Sequence, residues 1–189
     1  TCALPIYWQL ELLAKNGYKH IVICLGHLGE EIARHVGDGS QYDLIIKYSD
    51  DGEKQLGTGG AIVKALPLLG SRFAVIYGDS YLPINYAEAE KVFLDSGKPA
   101  LMSIYKNIGK FDKSNVAFKN GQIERYSKKK VDVDMEYIDY GLEYFDASVF
   151  EDKQVGQSYD LSLLLESLVS SRSEEHTSEL QSRVDISYA

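Results

Sequence analysis

Three apolar runs, HIVICLG at 20–26, DLIIKYS at 43–49 and FAVIYG at 73–78, alternate with segments of helical character, and this alternation most narrows the folds open to the chain. WQLELLAKNG reads as a helix with apolar positions at Trp8, Leu10, Leu12 and Leu13, stopped by Asn16-Gly17 as a glycine C-cap. HLGEEIARHVGDG reads as a second helix closed by glycine, and GGAIVKALPLLG as a third that ends near Pro67. The order is βαβαβ. INYAEAEKVFLDSGK continues it as a helix with Ala87, Val92 and Phe93 as candidate buried positions, followed by the strand PALMSIYK.

The pattern then changes. NVAFKNGQIERY is a hairpin signal around Lys119-Asn120-Gly121, MEYIDYGLEYF adds a strand, and YDLSLLLESLVSS reads as a helix. Strands that alternate with helices predict an α/β fold with a mostly parallel, helix-covered sheet, whose ligands bind at the carboxyl ends of the strands. The chain shows no repeat and no low-complexity linker, so one domain is expected.

The two ends read differently. TCALPI can be encoded as ACG TGT GCT CTT CCG ATC, whose reverse complement behind one added A translates as RSEEHT, the sequence at 172–177. Both ends resemble translations of a sequencing-library adapter read on opposite strands. Residues 1–6 and 172–189 are therefore read as adapter-derived, and Tyr7 to Ser171 as the natural part, a gene fragment.

Composition excludes several partners. The 189 residues are 44% hydrophobic and 25% charged, enough for a real core, and carry a formal net charge of −8. That acidic balance argues against nucleic acid and against an anionic membrane surface, and leaves a small-molecule ligand. Two cysteines, Cys2 and Cys24, imply no disulfide framework, and Cys24 is expected to pack as a small hydrophobe. With no membrane-length apolar stretch and no cleavable leader, the cytoplasm is the expected compartment. His20, His27 and His35 lack the ligand arrangement of a zinc site.

Two motifs carry the chemistry. LGTGG at 56–60 opens a helix, where unsatisfied N–H groups and the helix dipole favour phosphate, and Asp79 follows the strand FAVIYG, where a carboxylate can hold a metal. Taken singly, the glycines read equally well as a tight turn and Asp79 as a turn residue. Their combination is the stronger signal.

With QLELLAKNG, LGTGGAI and a strand ending in GDS in place, the chain resembles the nucleotidyltransferase family that makes nucleotide sugars from sugar 1-phosphates. The resemblance spans the whole natural part and implies a Rossmann-like three-layer α/β/α fold. It also implies a nucleoside triphosphate and a sugar 1-phosphate as substrates, magnesium as the metal, and release of pyrophosphate. By resemblance, Asp79 is the catalytic metal ligand, and Leu56, Gly57, Thr58, Gly59, Gly60 and Gly78 bind the nucleotide. The family's usual loop is LGTAGA, so Gly59-Gly60 is a mild departure from it.

For the sugar phosphate the resemblance implies Asn115, Lys129, Asp139, Tyr140 and Gly141, with Lys129 matching the family lysine and Lys128 replacing its glutamate. Asp139 stands for an asparagine and Asn115 for a glycine; Tyr140 is the best placed of the fourteen tyrosines to lie under a sugar or nucleotide. The family's opening strand and glycine-rich loop, with an arginine and a lysine, have no counterpart here, and its second metal-binding aspartate lies beyond the matching region. The chain as written is expected to be inactive, which a turnover assay on residues 7–171 checks. A metal-dependent glycosyltransferase normally shows two acids one residue apart, and Asp79-Ser80-Tyr81 does not. A non-catalytic nucleotide-binding module stays open, as do the base, the sugar and the oligomeric state.

Overall fold

The computed structural model describes residues 4–107, 110–171 and 180–181, which fall into two compact units. The first runs to Ser71 and takes in Tyr77–Pro83 and Phe150–Leu161; the second holds Arg72–Ile76, Ile84–Val149 and the residues from Ser162 on. Of the ends expected to be adapter-derived, only Leu4–Ile6 and Leu180–Gln181 are among the described residues.

In the first unit α1 (Leu4–Lys15) buries Leu10 and Leu13, while Trp8 is 56% exposed and the neighbouring Gln9 turns inward instead. The helix stops as expected. Gly17 takes a φ of 86° and donates to the Ala14 carbonyl, and the Asn16 side-chain amide donates to the Leu12 carbonyl at 2.8 Å. β1 (His20–Leu25) pairs in parallel with β2 (Ile45–Asp50), Ile21 opposite Ile46. Between them α2 (Gly29–Val36) carries Glu30 and Glu31 in its first turn and Arg34 and His35 in its last, which suits the helix dipole. Leu10, Val36, Leu44 and Ile46 form one buried cluster, with Ile21, Ile23 and Ile32 packed against it.

Cys24 corrects the sequence reading: it is exposed rather than packed. Side chains alternate along a strand, and Leu25 takes the inward position at this end of β1, 5% exposed, so Cys24 faces out with its thiol 3.8 Å from the Ala61 carbonyl. Ala61 lies in α3 (Gly57–Ala65), which runs into a single 3-10 turn at Leu66–Leu68 built on Pro67.

The second unit contains β3 (Arg72–Ile76), α4 (Tyr86–Ser96), β4 (Ala100–Lys106), β5 (Val116–Lys119), β6 (Gln122–Tyr126) and β7 (Tyr137–Asp146). Also in it are most of α5 (Leu161–Ser170) and the short β8 (Leu180–Gln181), which lies parallel to β4. β7 is the central strand: β4 runs antiparallel to it along nearly its whole length, and β3 and β5 pair antiparallel with its other edge. The β5–β6 hairpin turns on Asn120 and Gly121, with φ of 52° and 81°, the positive values that a two-residue hairpin loop requires. In α4 the inward stripe is Tyr86, Ala89 and Phe93, spaced by three and four residues; Ala87, expected inside, is exposed because it lies off that stripe.

The class is the one expected, α/β with a parallel pair and a mixed sheet. The strand alternation gave no sign that β7 reverses direction against β3 and β4. Only the pairing of residues distant in sequence decides that.

Candidate functional site

Asp79 sits in a four-residue turn. β3 ends at Ile76, the Ser80 N–H donates to the Tyr77 carbonyl at 3.1 Å, and Gly78 and Asp79 occupy the two central positions. Asp79 is thus both a turn residue and an exposed carboxylate, with only the Ser80 hydroxyl near it at 3.5 Å among the described residues. Gly78 leaves open space, since a Cβ there would meet nothing within 4 Å. The ends of the turn are held by a residue that sequence reasoning missed. The buried Gln9 amide donates to the Tyr77 carbonyl at 2.7 Å and also to the Ser80 carbonyl.

The glycine loop holds an unexpected neighbour. The N–H groups of Gly59 and Gly60 donate to the Tyr159 carbonyl at 3.1 and 3.3 Å, and the Tyr159 N–H returns to the Leu56 carbonyl at 3.0 Å. Two of the donors expected to face phosphate are therefore already occupied. The Thr58 hydroxyl accepts from the Leu161 N–H at 2.9 Å, and the Leu56 N–H donates to an Asp51 carboxylate oxygen at 2.9 Å. Leu56 itself is a core side chain, 3% exposed, which leaves Gly57 and Thr58 as the exposed part of the loop.

The glycines follow from this packing. A Cβ on Gly59 would fall 2.2 Å from the Tyr159 ring, and one on Gly60 would fall 2.5 Å from the Gln157 carbonyl. The departure from the family's LGTAGA thus has a physical cause, since the Tyr159 ring fills the volume an alanine methyl would take. Gly60→Ala is expected to cost about 1–3 kcal/mol, as overpacking against a backbone atom does, and to lower the urea midpoint with no change in slope. Gly59→Ala is expected to recover most of its loss when Tyr159→Ala is added, because removing the ring relieves that clash.

In the second unit the expected sugar-site residues partly converge. The Asn115 side-chain oxygen accepts from the Asp139 N–H at 2.9 Å, and the Asp139 carboxylate accepts from the Gly141 N–H at 3.0 Å and the Tyr126 hydroxyl at 3.2 Å. Gly141 has a φ of 84° where the β4–β7 register slips between Met102 and Ile104, so the strand bulges at a residue that needs no side chain. Tyr140 stacks on Tyr105 with ring centroids 5.6 Å apart. Lys129 is exposed, its N–H donating to the Ser127 hydroxyl at 3.3 Å. It is Lys128 whose charge acts on Asp139, opposing the rise that burial imposes on the Asp139 carboxyl.

Glu143 was also missed. It is fully buried beside Asp139, and burial followed by the Asp139 charge pushes its carboxyl well above the usual glutamate range. The one signal was an acid inside the otherwise apolar run GLEYF.

Among the described residues no three His, Cys, Asp or Glu side chains cluster to hold a metal ion, and no helix is long and apolar enough to cross a membrane. One exposed carboxylate still suits magnesium, which keeps several waters and takes its remaining ligands from substrate phosphates.

A parallel β–α unit, a glycine-rich helix start and an acid turn after the next apolar strand define an α/β protein of Rossmann-like build. The nucleotidyl transferase family model matches residues 4–182, and the chain belongs to that family. It is 41% identical over 85 residues to the N-acetylmuramate alpha-1-phosphate uridylyltransferase of Neisseria meningitidis, covering 44% of this chain and 37% of that protein. It is 28% identical over 169 residues to the UTP–glucose-1-phosphate uridylyltransferase of Synechocystis, covering 80% of this chain and 43% of the relative. The chain thus spans less than half the length of either. Its fold matches that of a putative glucose-1-phosphate thymidylyltransferase from Bacillus anthracis with a TM-score of 0.79 and 16% identity, covering 97% of this chain and 74% of that one.

Proposed function

We propose that the protein joins the nucleotidyl group of a nucleoside triphosphate to a sugar 1-phosphate, releasing pyrophosphate, in the cytoplasm. Both units belong to one nucleotidyltransferase domain in this reading. The observation that carries it is the Gly78-Asp79 turn, which holds an exposed carboxylate just after β3 in a chain of this family. Two relatives are uridylyltransferases of sugar 1-phosphates, which supports the substrate class.

In the reaction an oxygen of the sugar phosphate attacks the α-phosphorus, the bond from that phosphorus to the bridging oxygen breaks, and pyrophosphate leaves with the electron pair. Two anions must be brought together, so neutralisation and alignment dominate the barrier. Magnesium, when bound, supplies the neutralising charge. Asp79 would hold it, and the exposed Gly57 and Thr58, with Gly78, would let the nucleotide approach the backbone. In the second unit the Asp139 carboxylate accepts from sugar hydroxyls, Asn115 and Gly141 orient it, and Lys129 meets the sugar phosphate.

The test is a product screen on the longest reading frame that carries this sequence. Each nucleoside triphosphate is offered with a panel of sugar 1-phosphates and magnesium, and pyrophosphate release is read out. Release with one pairing is expected. Nucleotide binding without release from any pairing would overturn the proposal in favour of a regulatory module.

A further inference from the structure

A glutamine inside an amphipathic helix normally faces water, yet Gln9 on α1 is 5% exposed. Its side-chain NH2 has two hydrogens, and they go to the carbonyls of the first and last residues of one four-residue turn: Tyr77 at 2.7 Å and Ser80. Those residues bracket Gly78 and Asp79, and the Tyr77 carbonyl also closes the turn by accepting the Ser80 N–H at 3.1 Å. The Gln9 amide thus ties α1 to both ends of the turn.

The Asp79 side chain makes no ion pair among the described residues, and its only hydrogen-bond neighbour there is the next residue's hydroxyl. Its direction is therefore set by the turn backbone, and the turn backbone is set by Gln9. We propose that Gln9 is a positioning residue for Asp79, holding the turn so that its carboxylate is presented in one orientation to a divalent cation. This rests on the reading of Asp79 as a metal ligand.

Only an uncharged double donor of this length fits both carbonyls. Glutamate would set an acceptor against two acceptors, asparagine is one methylene short, and leucine or methionine keeps the volume and loses both donors.

The experiment uses the chain as it stands, with Mn2+ alone as probe. Amide hydrogen exchange of residues 77–81 is measured beside paramagnetic broadening of the same amides. Gln9→Leu, with Gln9→Met as a second variant in case the branched side chain misfolds, is expected to speed exchange in the turn about tenfold or more and to weaken Mn2+ binding several-fold. Leu10→Ala, which opens a cavity in the same helix, is the structural control: it is expected to lower the melting temperature and leave Mn2+ binding alone.

Unchanged turn exchange in the Gln9 variants would overturn the clamp. Faster exchange with unchanged Mn2+ affinity would overturn the positioning role. Asp79→Asn separates the underlying reading, since it is expected to abolish broadening and leave turn exchange as in the parent. Broadening retained in Asp79→Asn would overturn the metal-ligand reading and the positioning role with it, while exchange would still decide whether the clamp exists.

Discussion

Asp79→Ala is expected to cut pyrophosphate release at least about 100-fold while the protein stays folded, because a carboxylate that holds the metal contributes several kcal/mol to transition-state charge stabilisation. The loss is expected in kcat, with substrate affinity changed less, since neutralisation matters most as charge moves on to the leaving pyrophosphate. Exposure of Asp79 makes the test clean: truncating it opens no cavity and removes no ion pair among the described residues. The measurement is steady-state release by the longest reading frame that carries this sequence, across magnesium concentrations, with the melting temperature recorded in parallel. A variant that keeps parent-like turnover would show that Asp79 is only the turn residue its backbone makes it.

The second large effect concerns Glu143. Burial is the main cause that raises its carboxyl, with the Asp139 charge next and the Lys128 charge opposing, so the fold favours the protonated form. Asp139 is raised too, chiefly by burial. A carboxyl raised in the folded state contributes stability that is fully present below its unfolded pKa and is lost as pH rises through the folded value. The parent is therefore expected to lose stability from mildly acid to alkaline pH. Glu143→Gln, which stays neutral and can donate to Asp139, is expected to flatten that decline.

The variant is therefore expected to be the more stable of the two at alkaline pH, with the difference shrinking as pH falls. Urea unfolding at a series of pH values reads this directly. Parallel profiles for the two proteins would show that the carboxyl is not held neutral by the fold.

Such effects separate what was legible from what was not. The strands β1 to β4, the glycine stop of α1 and the Asn120-Gly121 hairpin were all readable because each rests on contacts between near neighbours. Asp79 and the glycine loop were readable as motifs for the same reason. The purpose of the loop's glycines was not. Their packing partner, Tyr159, is about a hundred residues away, and nothing near LGTGG points to it. Likewise Trp8 outscored Gln9 on apolarity, and only the carbonyls of a distant turn explain why the polar side chain goes inside.

By itself, then, the sequence determined the order and type of the elements, the positions of the turns and the family, since short-range periodicity, turn chemistry and local motifs carry those. The tertiary structure alone decided that β7 reverses against its neighbours, that Gln9 clamps the Asp79 turn, that Tyr159 takes two loop donors, and that Glu143 is buried beside Asp139. Each of these depends on backbone hydrogen bonds or side-chain packing between segments far apart in the chain, and such contacts exist only once the chain has folded.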